Sequence, residues 1–203
     1  MALVALFLPS HVAAIELSHG DLSHSDYRLS LEKGGFIKGE TGWLALELMP
    51  GEGWHTYWKN PGDSGAAPIF SWKTPEGITI GKPAFPVPDF IPVGPLMNYG
   101  YDGPSTLLFP LHVDAAFSGS IASISVAAEW LVCKVECVPQ IADWHFNVSE
   151  QKADAIVAPS AALFLAARSK FPEAAYWDSN LTISNNNSQL IVFSDVSDVD
   201  EVI

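Results

Sequence analysis

The chain has 203 residues, 48% of them hydrophobic, with seven Trp, eleven Phe and five Tyr. That length and apolar share support a core without metals or many disulfides, and the aromatic content favours strands over helices. A formal net charge of −13 excludes a nucleic-acid surface, whose phosphates it would repel, and a basic face for docking on anionic lipid.

Residues 2–8 form an apolar run too short to cross a bilayer, and it leads to the small residues Val12-Ala13-Ala14. This is the pattern of an exported protein with a signal peptide over 1–14 cut after Ala14, although no Lys or Arg precedes the run. No later run reaches the length of a membrane-spanning helix. Residues 19–26 are polar and read as a loose lead-in. Tyr27, Leu29 and Leu31, then Leu44, Leu46 and Leu48, alternate with polar or small residues at the period of half-buried strands. Residues 54–58 read as a short aromatic strand, 60–68 as a Gly/Pro/Asp loop, and 69–72 and 78–80 as short strands around the turn Thr74-Pro75-Glu76-Gly77.

Residues 82–104 carry Pro83, Pro86, Pro88, Pro92, Pro95 and Pro104 among Phe85, Phe90, Met97, Tyr99 and Tyr101. Proline at that density argues against a central strand or a helix, so the stretch reads as an ordered aromatic loop lying over the sheet. Leu107, Phe109, Leu111 and Val113 form another alternating strand, Ile124, Val126, Ala128, Trp130 and Val132 a clearer one, and 143–148 a further one. Short strands separated by turn signals predict an all-β sandwich. After Pro159 the character changes. Residues 161–170 are Ala- and Leu-rich, capped by Ser160 and stopped by Pro172, and predict a helix. Residues 181–183 and 190–193 read as a hairpin through Asn185-Asn186-Asn187, which would open a second β domain that the sequence does not complete. The organisation is a sandwich over 26–150, a helical linker over 156–175 and the start of a second β domain over 178–203.

The two cysteines, Cys133 and Cys137, lie within one five-residue stretch. Strand parity puts Trp130 and Val132 on the apolar face and Cys133 on the other face with Ser123, Ser125 and Glu129, where a cysteine can meet a partner. Four extended residues cover roughly 13 Å, whereas a disulfide needs Cα atoms about 4.4–6.8 Å apart, so a bonded pair requires a turn. So small a ring stabilises by only about 2 kcal/mol in the loop-entropy model. Three chemistries remain open: a structural bridge, a metal site, and thiol–disulfide exchange. The spacing and the following Pro139 are similar to the copper motif of Sco-type proteins, for which His55 or His145 would be the extra ligand. Those proteins alternate strands with helices, unlike this chain. A closely spaced, weakly stabilising, accessible bond suits exchange.

Trp130-Leu131-Val132-Cys133-Lys134 through Cys137-Val138-Pro139 resembles the active segment of the N-terminal domain of DsbD/ScsB-type reductases. Gly53-Trp54-His55-Thr56-Tyr57-Trp58-Lys59-Asn60-Pro61-Gly62-Asp63-Ser64-Gly65 resembles the same domain in the ScsB branch, and Tyr99-Gly100-Tyr101 and Leu108-Phe109-Pro110-Leu111 follow in the expected order. The resemblance spans residues 26–148. It implies an immunoglobulin-like β-sandwich in the periplasm of a Gram-negative bacterium. It implies a protein-disulfide reductase domain that needs no cofactor. Such a domain takes electrons from a membrane-embedded donor domain by way of a thioredoxin-like domain, and passes them to oxidised periplasmic thiol proteins. The three-residue spacing of the cysteines matches the ScsB branch, whereas DsbD separates them by five. A disulfide isomerase, a cytochrome c maturation protein and a copper-tolerance protein are all candidate acceptors. The donor domains would lie on another polypeptide or on a longer form of this chain. The resemblance also implies a cap over the cysteines, matched by position at residues 92–99, with Tyr57, Trp58, Met97 and Tyr99 as wall residues. Within the family the second cysteine, here Cys137, attacks the partner and Cys133 resolves.

Two features stand outside this reading. His19, His24, Asp21 and Asp26 have metal-ligating side chains, but read as solvated in an acidic lead-in. The sequons at Asn147, Asn180 and Asn186 carry no meaning in a bacterial protein. The rival from another class is a non-catalytic binding module, since sandwiches host many functions.

Overall fold

The structure, a computed structural model, describes residues 15–151, 162–172, 178–184 and 187–193. The expected signal peptide at 1–14 and the sequon residue Asn186 lie outside the described residues. In chain order the strands are β1 (Ile15–Leu22), β2 (Ser25–Leu31), β3 (Thr41–Pro50), β4 (Thr56–Gly62), β5 (Ile69–Lys73), β6 (Ile78–Ile80), β7 (Asp89–Val93) and β8 (Leu96–Tyr101). Then come β9 (Ser105–Val113), β10 (Ile121–Cys133), β11 (Cys137–Ser149), the helix α1 (Ala162–Arg168), and the strands β12 (Asp178–Ser184) and β13 (Asn187–Phe193).

The described residues up to Phe171 form one compact unit and those from Pro172 onward a second. In the first, a five-stranded sheet β1-β2-β3-β9-β6 faces a three-stranded sheet β11-β10-β5, and a third small sheet has the order β4-β8-β7. The alternating positions meet between the two larger sheets. Leu29, Leu31, Leu44, Leu46, Leu48, Leu107, Phe109, Leu111 and Val113 come from one side. Ala122, Ile124, Val126, Ala128, Trp130, Val132, Ala142, Trp144, Phe146 and Val148 come from the other. This is an immunoglobulin-like β-sandwich, with polar residues on the outer face of β10 and β11 as strand periodicity requires.

The five-stranded sheet is buried on its outer face as well. There Ala45 and Leu108 pack under Phe164 and Ala167 of α1. Arg168 anchors the helix, with its guanidinium paired to both oxygens of Glu32 at 2.6 and 2.9 Å and lying over the Trp43 ring. The helix therefore belongs to the first unit. The second unit holds the antiparallel hairpin β12–β13, in register from Asp178↔Phe193 to Ser184↔Asn187.

Two local expectations are corrected. The polar stretch at 19–26 is no loose lead-in. It is the turn-facing half of the β1–β2 hairpin, which pairs Asp21 with Asp26 and Leu22 with Ser25. Polar composition did not prevent pairing, because β2 also pairs along its length with β3. The proline-rich stretch contains a β-hairpin, β7–β8, and β8 is the central strand of the small sheet. The prolines are segregated: Pro92 lies on the edge strand β7 and Pro95 in the turn, while the six residues of β8 contain none. A proline costs a ladder hydrogen bond only where its nitrogen would face a neighbouring strand.

Candidate functional site

β10 and β11 pair without a register shift over every rung from Ile121↔Ser149 to Cys133↔Cys137. The cysteines are therefore cross-strand neighbours on the last rung, with Cα atoms 4.1 Å apart and a disulfide between them. The loop that they close is Lys134-Val135-Glu136, tightened by the Lys134 amide donating to the Glu136 carbonyl at 3.0 Å. Val135 at its tip is fully exposed. The turn that spacing demanded is thus the hairpin turn itself.

The two sulfurs have unlike surroundings. Cys133 does point away from the sandwich core, but the expectation that this opens it to a partner is corrected: it is only 3% exposed. The chain entering β4 lies across it. His55 and Cys133 exchange backbone hydrogen bonds at 2.9 and 3.0 Å, forming an isolated antiparallel bridge that docks the small sheet onto the end of β10. Cys137, on the opposite strand, is exposed.

The side chains of His55 and Tyr57 complete the cover. They alternate with Thr56 and so fall on one face. His55 is 7% exposed and Tyr57 4%. The Tyr57 hydroxyl lies 3.2 Å from His55 Nε2 and 3.9 Å from Cys137 Sγ. Burial holds the His55 imidazole below its ordinary pKa, with Asp102 opposing, and burial pushes the Tyr57 phenol up. Near neutral pH the imidazole is therefore neutral and the phenol keeps its proton.

The residues after Tyr57 seat it. Gly65 has φ +83°, and a Cβ there would run into the Tyr57 ring. Asp63 and Met97 exchange hydrogen bonds at 2.9 and 3.0 Å, and Ser64 donates its amide and hydroxyl to the buried Asn98 Oδ1, each at 2.9 Å. The Asn-Pro-Gly-Asp-Ser-Gly run thus fastens the end of β4 to β8 and lays Gly65 flat on the aromatic ring.

Of the four expected wall residues, Tyr57 alone has a polar contact with a cysteine. Trp58 of β4 and Tyr99 of β8 pack edge to face with centroids 6.4 Å apart, and Phe90 of β7 joins Tyr99 at 5.5 Å, forming an aromatic group across the small sheet. Met97 is partly exposed and is fixed by its backbone to Asp63. Lys134, next to Cys133 in the chain, places Nζ 3.4 Å from the Glu52 carbonyl. The Asn-Pro-Gly-Asp-Ser-Gly clamp and the pairing of His55 with Tyr57 were missed. The alternation His55-Thr56-Tyr57 was the available signal for the second.

Of the two expected extra metal ligands, His55 lies beside the cysteine pair, with its Nε2 against the Tyr57 hydroxyl, and His145 does not. His145 is exposed opposite Ser125, roughly 26 Å along β11 from Cys137 at about 3.3 Å per residue. His19 Nδ1 meets Glu16 at 2.6 Å, while His24 stacks on Trp54 with centroids 4.0 Å apart. Among the described residues, no group of three or more His, Cys, Asp or Glu is placed to hold a metal.

A sequence profile described as "Thiol:disulfide interchange protein DsbD, N-terminal" matches residues 29–148. The chain belongs to this family. That span begins in β2 and ends in β11, so it leaves out β1 but contains β3 to β10, the small sheet and the cysteine pair. Membership and the Cys133–Cys137 disulfide together fit thiol:disulfide interchange. Among solved structures, the chain is similar to the N-terminal periplasmic domain of ScsB from Proteus mirabilis. The TM-score is 0.55 at 16% identity, over 94% of this chain and 90% of that one, a likeness of fold. The reduced N-terminal domain of DsbD from Neisseria meningitidis gives a TM-score of 0.38 at 15% identity, over 71% of this chain and 91% of that one. No curated protein sequence matches the chain.

Proposed function

We propose that this DsbD-family domain is a periplasmic electron relay that reduces oxidised thiol proteins through Cys133 and Cys137, with Cys137 as the attacking sulfur. The observation that carries the reading is the asymmetry of the pair, one sulfur exposed and the other buried under His55 and Tyr57. Exchange requires in-line access to one sulfur only, and a resolving thiol acts from within.

In the reduced domain the Cys137 thiolate attacks a partner disulfide. A Cys137–partner bond forms, the partner's S–S bond breaks, and one partner thiolate leaves. Cys133 then attacks the Cys137 sulfur, which re-forms the Cys133–Cys137 disulfide and releases the second partner thiolate. Two electrons have passed to the partner. A reduced dithiol on a thioredoxin-like domain, itself supplied from a membrane-embedded donor, restores the starting state by the reverse sequence. The acceptor is a thioredoxin-like protein with an oxidised cysteine pair. Disulfide isomerisation, cytochrome c maturation and copper tolerance are settings that present such an acceptor.

Trapping tests the assignment. A Cys133→Ala chain mixed with an oxidised thioredoxin-like protein is expected to accumulate a mixed disulfide, because no resolving thiol remains, and Cys137→Ala is not. Trapping by Cys137→Ala alone would reverse the roles. Trapping by neither, with no electron transfer from the reduced wild type, would leave a binding module with a structural disulfide.

A further inference from the structure

We infer that Tyr57 is a catalytic hydrogen-bond donor to the Cys137 thiolate, and that His55 is the positioning residue that aims its hydroxyl. The inference deepens the proposed function and rests on Cys137 being the attacking sulfur.

The geometry is a chain of three groups. The Tyr57 oxygen stands between His55 Nε2 at 3.2 Å and Cys137 Sγ at 3.9 Å. The ring has no freedom to turn elsewhere, being 4% exposed and pressed by Gly65. A hydroxyl has one proton and two lone pairs. With Nε2–H donating to the phenol oxygen, the phenolic proton is directed at sulfur. A phenol kept protonated by burial presents that donor throughout the range in which a thiol ionises. His55 is itself held by its backbone exchange with Cys133, so one short segment fixes both the buried sulfur and the donor to the exposed one.

The charged groups around this cluster do not replace the donor. Lys134 is turned onto the Glu52 carbonyl. Glu136, exposed in the hairpin loop, and Asp102, which acts on His55, are anionic and oppose a thiolate. Acidic neighbours make a cysteine reluctant to ionise. A single neutral donor therefore has a measurable effect on it.

The test uses the full chain with Cys133→Ala, leaving Cys137 free, and follows alkylation of Cys137 by iodoacetamide against pH. Adding Tyr57→Phe keeps the ring and removes the hydroxyl. It is expected to shift the ionisation midpoint upward and to slow alkylation at neutral pH roughly tenfold, the scale of one hydrogen bond to a charged group. His55→Leu should act similarly, while His55→Gln, which retains an amide donor near the Nε2 position, should recover most of the rate. Melting curves identify any variant that is unfolded, and the remaining variants then decide. An unchanged midpoint in Tyr57→Phe overturns the donor role. Equal loss in His55→Gln and His55→Leu overturns the positioning role. Alkylation needs no protein partner, so these results stand apart from trapping: a failed Tyr57 arm with trapping intact removes this inference alone, and failed trapping with a shifted midpoint removes the relay.

Discussion

Cys133 and Cys137 face one another across the last rung of one hairpin, yet Cys137 reaches solvent and Cys133 does not. The difference arises from neither strand. It comes from His55, whose backbone pairs with Cys133 and brings Tyr57 over the disulfide.

Removing the disulfide should cost little. The ring closes only a short loop, and the loop-entropy model assigns it about 2 kcal/mol. Thermal or urea unfolding of Cys133→Ala/Cys137→Ala against the oxidised wild type measures the difference. Collapse of the fold would mean that the bond is a structural staple.

Replacing Gly65 should disturb the site through Tyr57. At φ +83° an L-residue is strained, and the added Cβ would meet the Tyr57 ring. Gly65→Ala is expected to destabilise by about 1–3 kcal/mol and to increase the reactivity of the buried Cys133 in the reduced protein. Stability matching the wild type would show that the loop and ring are not packed as described.

His55 gives the stability a pH dependence. Its folded pKa lies below its unfolded value near 6.5, so the unfolded chain binds more protons as the solution becomes acidic. The contribution is fully present above that unfolded value and is lost as pH falls through the folded pKa. The melting temperature should drop between pH 7.5 and 5.5, and His55→Gln should flatten the drop. Glu47, whose pKa is raised chiefly by burial, with Arg28 opposing, contributes with the opposite sign and in a more acidic range. A drop of equal size in His55→Gln would place its origin elsewhere.

The helix is part of the folded unit. Phe164 is completely buried against Ala45 and Leu108, and Phe164→Ala should cost about 3–5 kcal/mol. Urea unfolding measures this directly, and a cost below about 1 kcal/mol would show a loosely held helix.

The sandwich was legible because its strands obey a period of two: Ile124, Val126, Ala128, Trp130 and Val132 all face inward as their spacing required. The cysteine turn was legible from the distance that a disulfide must span. The β1 strand was not, because Ser18, His19, Gly20 and Asp21 carry no apolar alternation and are held by pairing with β2. The β8 strand was hidden by prolines that occupy its neighbours. Burial of Cys133 was beyond strand parity, which assigns a face but not what covers it. That cover comes from His55, nearly eighty residues earlier in the chain, and only the tertiary pairing brings the two together.

The reduction potential of the Cys133–Cys137 pair tests the central claim most directly. Equilibration of the purified chain with glutathione or dithiothreitol redox buffers, read by the fraction of free thiol, is expected to give a midpoint between about −180 and −300 mV, the span of bonds that exchange. A midpoint well below about −300 mV, the range of structural disulfides, would contradict the relay and leave the pair as a staple.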